Sequence, residues 1–436
     1  MSKQKVSSVF DFIHGDEDAR VCKDIPDAAC KHQPRNAFAY MFANLFNKIA
    51  DEISSAKLIL PWLLGALGAP AAFTGFLVPI REAGVLLPQL LVAAFIRKMA
   101  IRKYVWLLGG VLSALALALM ALSVTQLTGA SAGWAIILLL TLFSLARGLC
   151  SVSAKDVLGK TVSKGQRGNL MGYSAGFAGL ATLGIGLYVQ MFAKEDASIG
   201  LMTTLLSISA LLWVFAIISF AAIKEHPGST EGGGNAITTA LQSLSLLKTD
   251  SQFRHFVISR AMLLAVAFAP PFYVLLAQQN ASNGLSSLGM MIIASGIGAS
   301  VSSPIWGKLG DRSSRLVMVL ASAIAGVLGI AVFILIQSDH TLMRQPLTYA
   351  VLYLALIIVH SGVRLGRKVY LVDMATAETR ATYVAVSNTA IGVLMLFGGL
   401  IGIIADVLAV QYVVLILGLL SAAAAVYCWR LPEVSG

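Results

Sequence analysis

Long apolar runs alternate with short basic segments along almost the whole chain. Twelve runs can be drawn, each near the ~20 residues a helix needs to cross a bilayer. The first six cover 38–62, 72–95, 104–124, 133–155, 168–190 and 200–223. The second six cover 256–277, 286–306, 316–336, 348–367, 382–405 and 412–430. Backbone polar groups in lipid have no water to bond, so runs of this length predict helices rather than strands. The first run is the least apolar. Residues 1–35 carry charges throughout and no apolar core, unlike a signal peptide, and are expected to remain in the cytoplasm.

The longest internal polar segment, 224–255, divides the runs six and six. Its Pro227-Gly228-Ser229-Thr230 and Gly232-Gly233-Gly234 stretches have a flexible linker composition. Ile237, Leu241, Leu244 and Leu247 then fall on one helical face, so 236–248 reads either as a helix on the membrane surface or as a plain linker helix. The expected architecture is an all-α polytopic membrane protein with twelve transmembrane helices in two six-helix bundles. Its parts are a tail (1–35), an N-terminal bundle (36–223), a linker (224–255), a C-terminal bundle (256–430) and a short tail (431–436).

Composition strengthens this picture. Charged residues are 12% of the chain and hydrophobic ones 57%, whereas soluble domains carry roughly 25% charge. The mean hydropathy is +0.81. A soluble chain of 436 residues would normally split into domains with polar exteriors. The net charge of +11 is mostly topology. Lys155, Arg367 and Arg430, at the last positions of their spans, are counted with the adjoining cytoplasmic segments. With the N-terminus inside, 24 of the 32 Lys and Arg are then cytoplasmic, two (Lys194 and Arg344) outside, and six within spans. That is the positive-inside bias, and shifting the register by one helix destroys it. It places both termini and the linker in the cytoplasm of an inner-membrane protein, and it removes any need for a nucleic-acid partner.

Four cysteines do not make a disulfide framework. Cys22 and Cys30 lie in the tail near His14 and His32, but the spacing matches no standard zinc pattern, and reduced cytoplasmic thiols are the simpler reading. No metal and no cofactor is expected. The chain has no nucleotide-binding loop, metal-ligand helix, nucleophile elbow or sizeable soluble domain, so no enzyme is expected either.

The halves repeat weakly at an offset of 213 residues: Lys155 falls on Lys368, Arg167 on Arg380 and Ser174 on Ser387. A duplicated six-helix unit is typical of transporters. Between spans 8 and 9 lies Gly307-Lys-Leu-Gly-Asp311-Arg312-Ser-Ser-Arg315. This resembles the cytoplasmic-loop signature of the major facilitator superfamily, and the resemblance covers about 36–430. It implies a secondary transporter in which this loop stabilises one access state. Gly307 would permit close helix approach, and Asp311 would cap a helix or pair with a neighbouring Arg. Lys155, Asp156, Lys368 and Asp373, at cytoplasmic helix ends, are read as gate pairs or snorkelling residues. The equivalent loop of the first half departs from the signature: Ala93 replaces the opening Gly and Arg97 the Asp. Span 5 carries Gly172, Gly176, Gly179, Gly184 and Gly186 but lacks the Gly-Pro pair of drug/proton antiporters. Its glycines are read as a helix-packing face.

Ionisable residues within the hydrocarbon are costly and mark sites or pair with one another. Span 1 carries Asn44, Asn47, Lys48, Asp51, Glu52 and Ser55. Positions 44, 48, 51, 52 and 55 form one helical stripe, with Lys48 able to reach Asp51 or Glu52. The stripe is either buried in the bundle or part of an amphipathic surface helix ending near Ser54. Adjacent Arg81 and Glu82 in span 2 point ~100° apart and require partners on other helices. Arg147, Arg260, His360 and Arg364 extend the charged set to both halves, although His360 also fits a hydrogen-bonded core residue. The expectation is a proton-coupled secondary transporter of a small anionic or zwitterionic solute. Asp51, Glu52 and Glu82 are its coupling candidates, and Asn44, Asn47, Lys48, Arg81, Arg147, Arg260, His360 and Arg364 its substrate-binding candidates. Two alternatives are proton-driven efflux of hydrophobic drugs and a non-transporting receptor or assembly factor with a transporter fold.

Overall fold

A computed structural model describes residue 25 and residues 30–192, 198–228, 230, 244–282, 284–376 and 379–434. The tail features from His14 to Cys22, Lys194 and segment 236–243 lie outside the described residues. Cys30 is in a disulfide, which corrects the reduced thiol expected from compartment alone.

All twelve spans are helical. Span 1 comprises Gln33–Ile53 and Ile59–Ala66, and span 2 comprises Ala71–Leu86 and Gln89–Arg97. Spans 3 to 6 are Lys103–Gln126, Gly129–Thr161, Lys164–Phe192 and Ser198–Ala221. Span 7 comprises Ser251–Met262 and Leu264–Asn280, followed by Gly284–Gly310, Ser314–Gln337 and Pro346–Met374. Span 11 comprises Arg380–Gly398 and Ile401–Val407, and span 12 is Val410–Trp429. The last ten spans are long and apolar enough to cross a membrane by composition. Spans 1 and 2 fall short because each is broken and charged.

The break in span 1 follows from Pro61. Proline has no N–H, so the carbonyl four residues earlier, that of Lys57, loses its helical donor. Leu60 N instead donates to Ser55 O, and Tyr353 Oη from span 10 donates to Lys57 O at 3.3 Å. The freed carbonyl thus binds the opposite bundle. Pro88 interrupts span 2 between its two helices in the same way.

Span 1 packs lengthwise against spans 5 and 6, and Ala37, Tyr40, Ala43 and Ala50 are buried there. It is therefore a bundle helix, not a surface helix. Trp106 of span 3 stacks on Phe220 of span 6 at 3.9 Å between ring centroids. Span 3 lies against spans 4 and 6, as span 9 lies against 10 and 12. The bundles meet along spans 5 and 8 and along spans 2 and 11.

The start of span 1 and the end of span 12 lie on one face, here the terminal face. There, Glu225 accepts from the amides of Arg102 (2.9 and 3.0 Å) and Lys103 (2.7 Å), capping span 3, and pairs with Lys160 at 3.1 Å. Lys160 also binds Asp156 at 3.0 Å, and Asp156 pairs with Arg102. The second half has a looser counterpart. Arg315 pairs with Glu433 at 3.3 Å and donates to Leu431 O at 2.9 Å.

The cap of span 9 corrects the signature-loop reading: Ser313 Oγ, not Asp311, accepts from Leu316 N at 3.0 Å. A hydroxyl one residue before the helix reaches that amide directly. Asp311 and Arg312 are exposed. Gly307 has open space beside it and not a close helix. Asp250 caps span 7 by accepting from Phe253 N. Burial pushes its carboxyl up, but that amide and the Tyr383 hydroxyl outweigh burial and hold it below its ordinary value.

Spans 5 and 8 touch only toward the opposite face. A Cβ on Gly186 would stand 2.8 Å from Ile293 Cγ1, and one on Gly289 would stand 2.7 Å from Gln190 N. Toward the terminal face the helices diverge: Gly176, Gly172, Gly168 and Gly307 have nothing within 4 Å. The expected five-glycine packing face is thus corrected, since of the five only Gly186 makes a tight contact. On the same closed side, a Cβ on Gly75 of span 2 would stand 2.6 Å from Gly399 O and Gly402 Cα of span 11. Asp406 of span 11 accepts from Ala71 N (2.6 Å) and Ala72 N (3.0 Å), capping span 2 from the other bundle. The bundles thus make close contacts toward the opposite face, while spans 5 and 8 diverge toward the terminal face.

Candidate functional site

A cavity of about 420 Å³ lies between the bundles, lined mainly by spans 1, 2, 4, 8 and 10. Three carboxylates project into it, all from the N-terminal bundle: Asp51, Glu52 and Glu82. Lys57, Arg81 and Arg147 come from the same bundle, and His360 and Arg364 from the C-terminal one.

Asp51 is clamped. Arg147 Nη2 lies 2.6 Å from Oδ2, and Arg81 Nη2 lies 3.3 Å from Oδ1. Each guanidinium is backed by an aromatic ring, Arg81 by Phe143 at 5.0 Å and Arg147 by Trp213 at 4.8 Å. Two cations on one carboxylate, with cation–π support behind them, form a rigid junction of spans 1, 2 and 4. Lys48 is no part of it and makes no ion pair among the described residues. The expected pairing of Lys48 with Asp51 or Glu52 is corrected: both arginines reach Asp51 from neighbouring helices, and Glu52 has no ion pair within 4 Å among the described residues.

Lys57 sits in the break of span 1, where the unwound backbone lets its side chain face span 10. Its Nζ lies 3.5 Å from Glu82 Oε1 and 2.9 Å from His360 Nε2. This links the two bundles through one ammonium. A lysine ammonium only donates, so His360 Nε2 accepts and that ring is neutral in this arrangement. His360 Nδ1 is buried and has no hydrogen-bond partner among the described residues.

Glu52 and Arg364 face the cavity and are exposed to it. Among the described residues neither side chain has a hydrogen bond or an ion pair within 4 Å, although each lies in the field of the other.

The remaining binding candidates stand elsewhere. Asn44 of span 1 donates to Met171 Sδ of span 5 at 3.5 Å, at a partly exposed position outside the cavity. Asn47 is buried, and neither it nor Lys48 lines the cavity. Arg260 is buried against Ser387 and Asn388, each at 2.8 Å. Lys155 and Asp156 line a second cavity of about 510 Å³, which begins one residue further along spans 2 and 4, at Leu86 and Val152, on the terminal side. Lys368 and Asp373 are exposed near the same face. Sequence reasoning missed Lys57 and Tyr353. Their signal was available in Pro61, whose missing amide frees the carbonyl that Tyr353 binds.

At the repeat offset of 213, Arg147 corresponds to His360 and Ser151 to Arg364, and all four line the cavity. Equivalent positions of spans 4 and 10 therefore face one another across the pseudo-twofold axis, as in duplicated transporters. The Major Facilitator Superfamily profile matches residues 37–363 and 261–436. The chain belongs to this superfamily. No curated protein matches the sequence. Among solved structures, it is similar to the nucleoside transporter NupG (D323A mutant) at 14% identity and a TM-score of 0.72, covering 91% of this chain and 99% of that one. It is also similar to a POT family transporter in complex with 5-aminolevulinic acid, at 10% identity and a TM-score of 0.69, covering 90% and 95%. A third is the inward-open xylose transporter XylE from E. coli, at 14% identity and a TM-score of 0.62, covering 92% and 96%. At these identities the likeness establishes the transporter fold and leaves the substrate to the site.

Proposed function

We propose that this superfamily member is a proton-coupled secondary transporter of a small anionic or zwitterionic solute, working by alternating access in the inner membrane. The observation that carries the reading is the charged cavity between the bundles, lined from both. Its formal charges, three carboxylates against Lys57, Arg81, Arg147 and Arg364, leave a surplus of one positive charge with His360 neutral. That surplus favours a solute bearing a carboxylate. A cavity this polar disfavours hydrophobic drugs. The basic residues concentrated on the terminal face argue that the tail, the 224–255 linker and both termini lie in the cytoplasm, so this is the inward-open state.

Among the coupling candidates, Asp51 is held by two arginines and reads as scaffold. Glu82 is better placed. It shares Lys57 with His360 of the other bundle, so protonating Glu82 releases that ammonium from its own bundle and alters the one cation bridging both. Rocking of the bundles must break or remake the same bridge.

The reading is tested in proteoliposomes after a thermal-shift screen of metabolites has supplied a ligand. Uptake above the external concentration is expected only with an imposed proton gradient. Binding without transport, in either direction, would instead favour the receptor alternative. For orientation, single cysteines in the linker should resist a membrane-impermeant thiol reagent in intact cells. Ready labelling there would invert the topology.

A further inference from the structure

We infer that the solute is a small zwitterion whose carboxylate binds Arg364 and whose ammonium binds Glu52. The inference rests on the cavity being the transport site. Every other charged side chain in that cavity is already paired within the protein: Asp51 with Arg81 and Arg147, and Glu82 with Lys57. Among the described lining carboxylates, lysines and arginines, Glu52 and Arg364 alone have no ion-pair partner within 4 Å. Holding ions unpaired inside a membrane protein costs free energy that a ligand of matching charge can recover.

Their placement sharpens the match. Glu52 belongs to span 1 and Arg364 to span 10, so the acidic and basic docking points lie on different bundles, across the gap that closes during occlusion. A solute with an ammonium and a carboxylate bridges that gap and neutralises both. A plain anion satisfies Arg364 and leaves Glu52 facing its charge, while a plain cation does the reverse. A guanidinium offers a fork for a bidentate carboxylate, and Ser55, Ser151 and Ser361 line the space between with hydroxyls. The volume of about 420 Å³ suits a molecule of amino-acid size. Two opposite charges held on opposite bundles also mean that a bound zwitterion draws the bundles together, as occlusion requires.

The test uses the purified full-length protein in detergent and measures ligand-induced thermal shifts and calorimetric affinity, neither of which depends on transport. The probes are the common L-amino acids, β-alanine and γ-aminobutyrate, each beside its amide and its N-acetyl derivative. We expect at least one parent zwitterion to bind, with its amide and its N-acetyl form each about tenfold or more weaker. Arg364→Gln should abolish the preference for the parent over its amide, and Arg364→Lys should retain part of it. Glu52→Gln should abolish the preference for the parent over its N-acetyl form. An N-acetyl form that binds wild type as tightly as its parent overturns the proposal in favour of a simple anion. It is overturned equally if no zwitterion binds, or if Glu52→Gln leaves both affinities unchanged while the variant melts like wild type. A zwitterion that binds as described but is never carried in proteoliposomes would sustain this site and sink the transport reading alone.

Discussion

Spans 1 and 7 hold equivalent places in the two bundles, 213 residues apart, and both are interrupted, yet they share almost no chemistry. Span 1 unwinds over Ser54–Leu58 and carries Asp51, Glu52 and Lys57 at or beside the break. The corresponding positions of span 7 are Leu264, Ala265 and Pro270, and Leu264 and Ala265 are buried in the apolar core. Span 7 breaks only at Leu263 and buries Arg260 against two neutral side chains of span 11. The two breaks do not coincide at this offset, since 54–58 maps onto 267–271 within the helix Leu264–Asn280, and only the first copy carries carboxylates there. The consequence is a division of labour across the cavity, with every acid on the N-terminal wall and only His360 and Arg364 on the other.

The comparison breaks most visibly at Asp51. Asp51→Asn strands Arg81 and Arg147 together and should cost about 3–5 kcal/mol, the penalty of leaving a buried charge unpaired. Thermal unfolding in detergent measures this, and adding Arg147→Gln should recover part of the loss. A melting temperature within error of wild type would show that the junction does not hold the N-terminal wall together.

Next in size is Glu82→Gln, expected to abolish accumulation driven by a proton gradient while preserving exchange of solute down its own gradient. Arg260→Lys, in the other bundle, should leave the proton dependence unchanged. Accumulation that survives in Glu82→Gln would move the coupling elsewhere.

The terminal-face knots sharpen the contrast further. The Glu225 side chain is fully buried and joins two amides to Lys160, whereas that of Glu433 is 35% exposed. Glu225→Gln should cost about 2 kcal/mol and Glu433→Gln less than about 1 kcal/mol, in line with buried and surface charge-assisted bonds. Equal losses in paired melting curves would deny the asymmetry.

The smallest effect concerns the closed face. Asp406→Asn weakens a helix cap that one bundle lends the other, worth about 1 kcal/mol. That is enough to raise the population open to the opposite face several-fold. A cysteine at Gln279, which lines a cavity of about 570 Å³ there, should then react faster with a soluble thiol reagent. An unchanged rate would mean that the glycine contacts of spans 2 and 11 close this face unaided.

Hydropathy and basic-residue asymmetry were sufficient to draw twelve spans, because lipid forces every backbone group into a helix and penalises each translocated charge. The charged spans were legible for the same reason: a charge in hydrocarbon demands a partner, and Arg81 and Glu82, adjacent and facing apart, had to find theirs elsewhere. Sequence could also have located the break, since Pro61 necessarily orphans the carbonyl of Lys57.

Only the tertiary structure decided which charges meet. Helical spacing made Lys48 the nearest cation to Asp51, but two arginines from spans 2 and 4 arrive in better geometry with aromatic rings behind them. Asn47 and Arg260 carry the same residue chemistry as a binding site and are buried in their bundles instead, while Asn44 and Lys48 stay outside the charged cavity. Glu52 and Asp51 are neighbours in the chain, yet one is clamped and the other open. Periodicity assigns a residue to a face of its own helix, whereas pairing depends on how twelve helices are rotated and spaced against one another, and no local pattern encodes that.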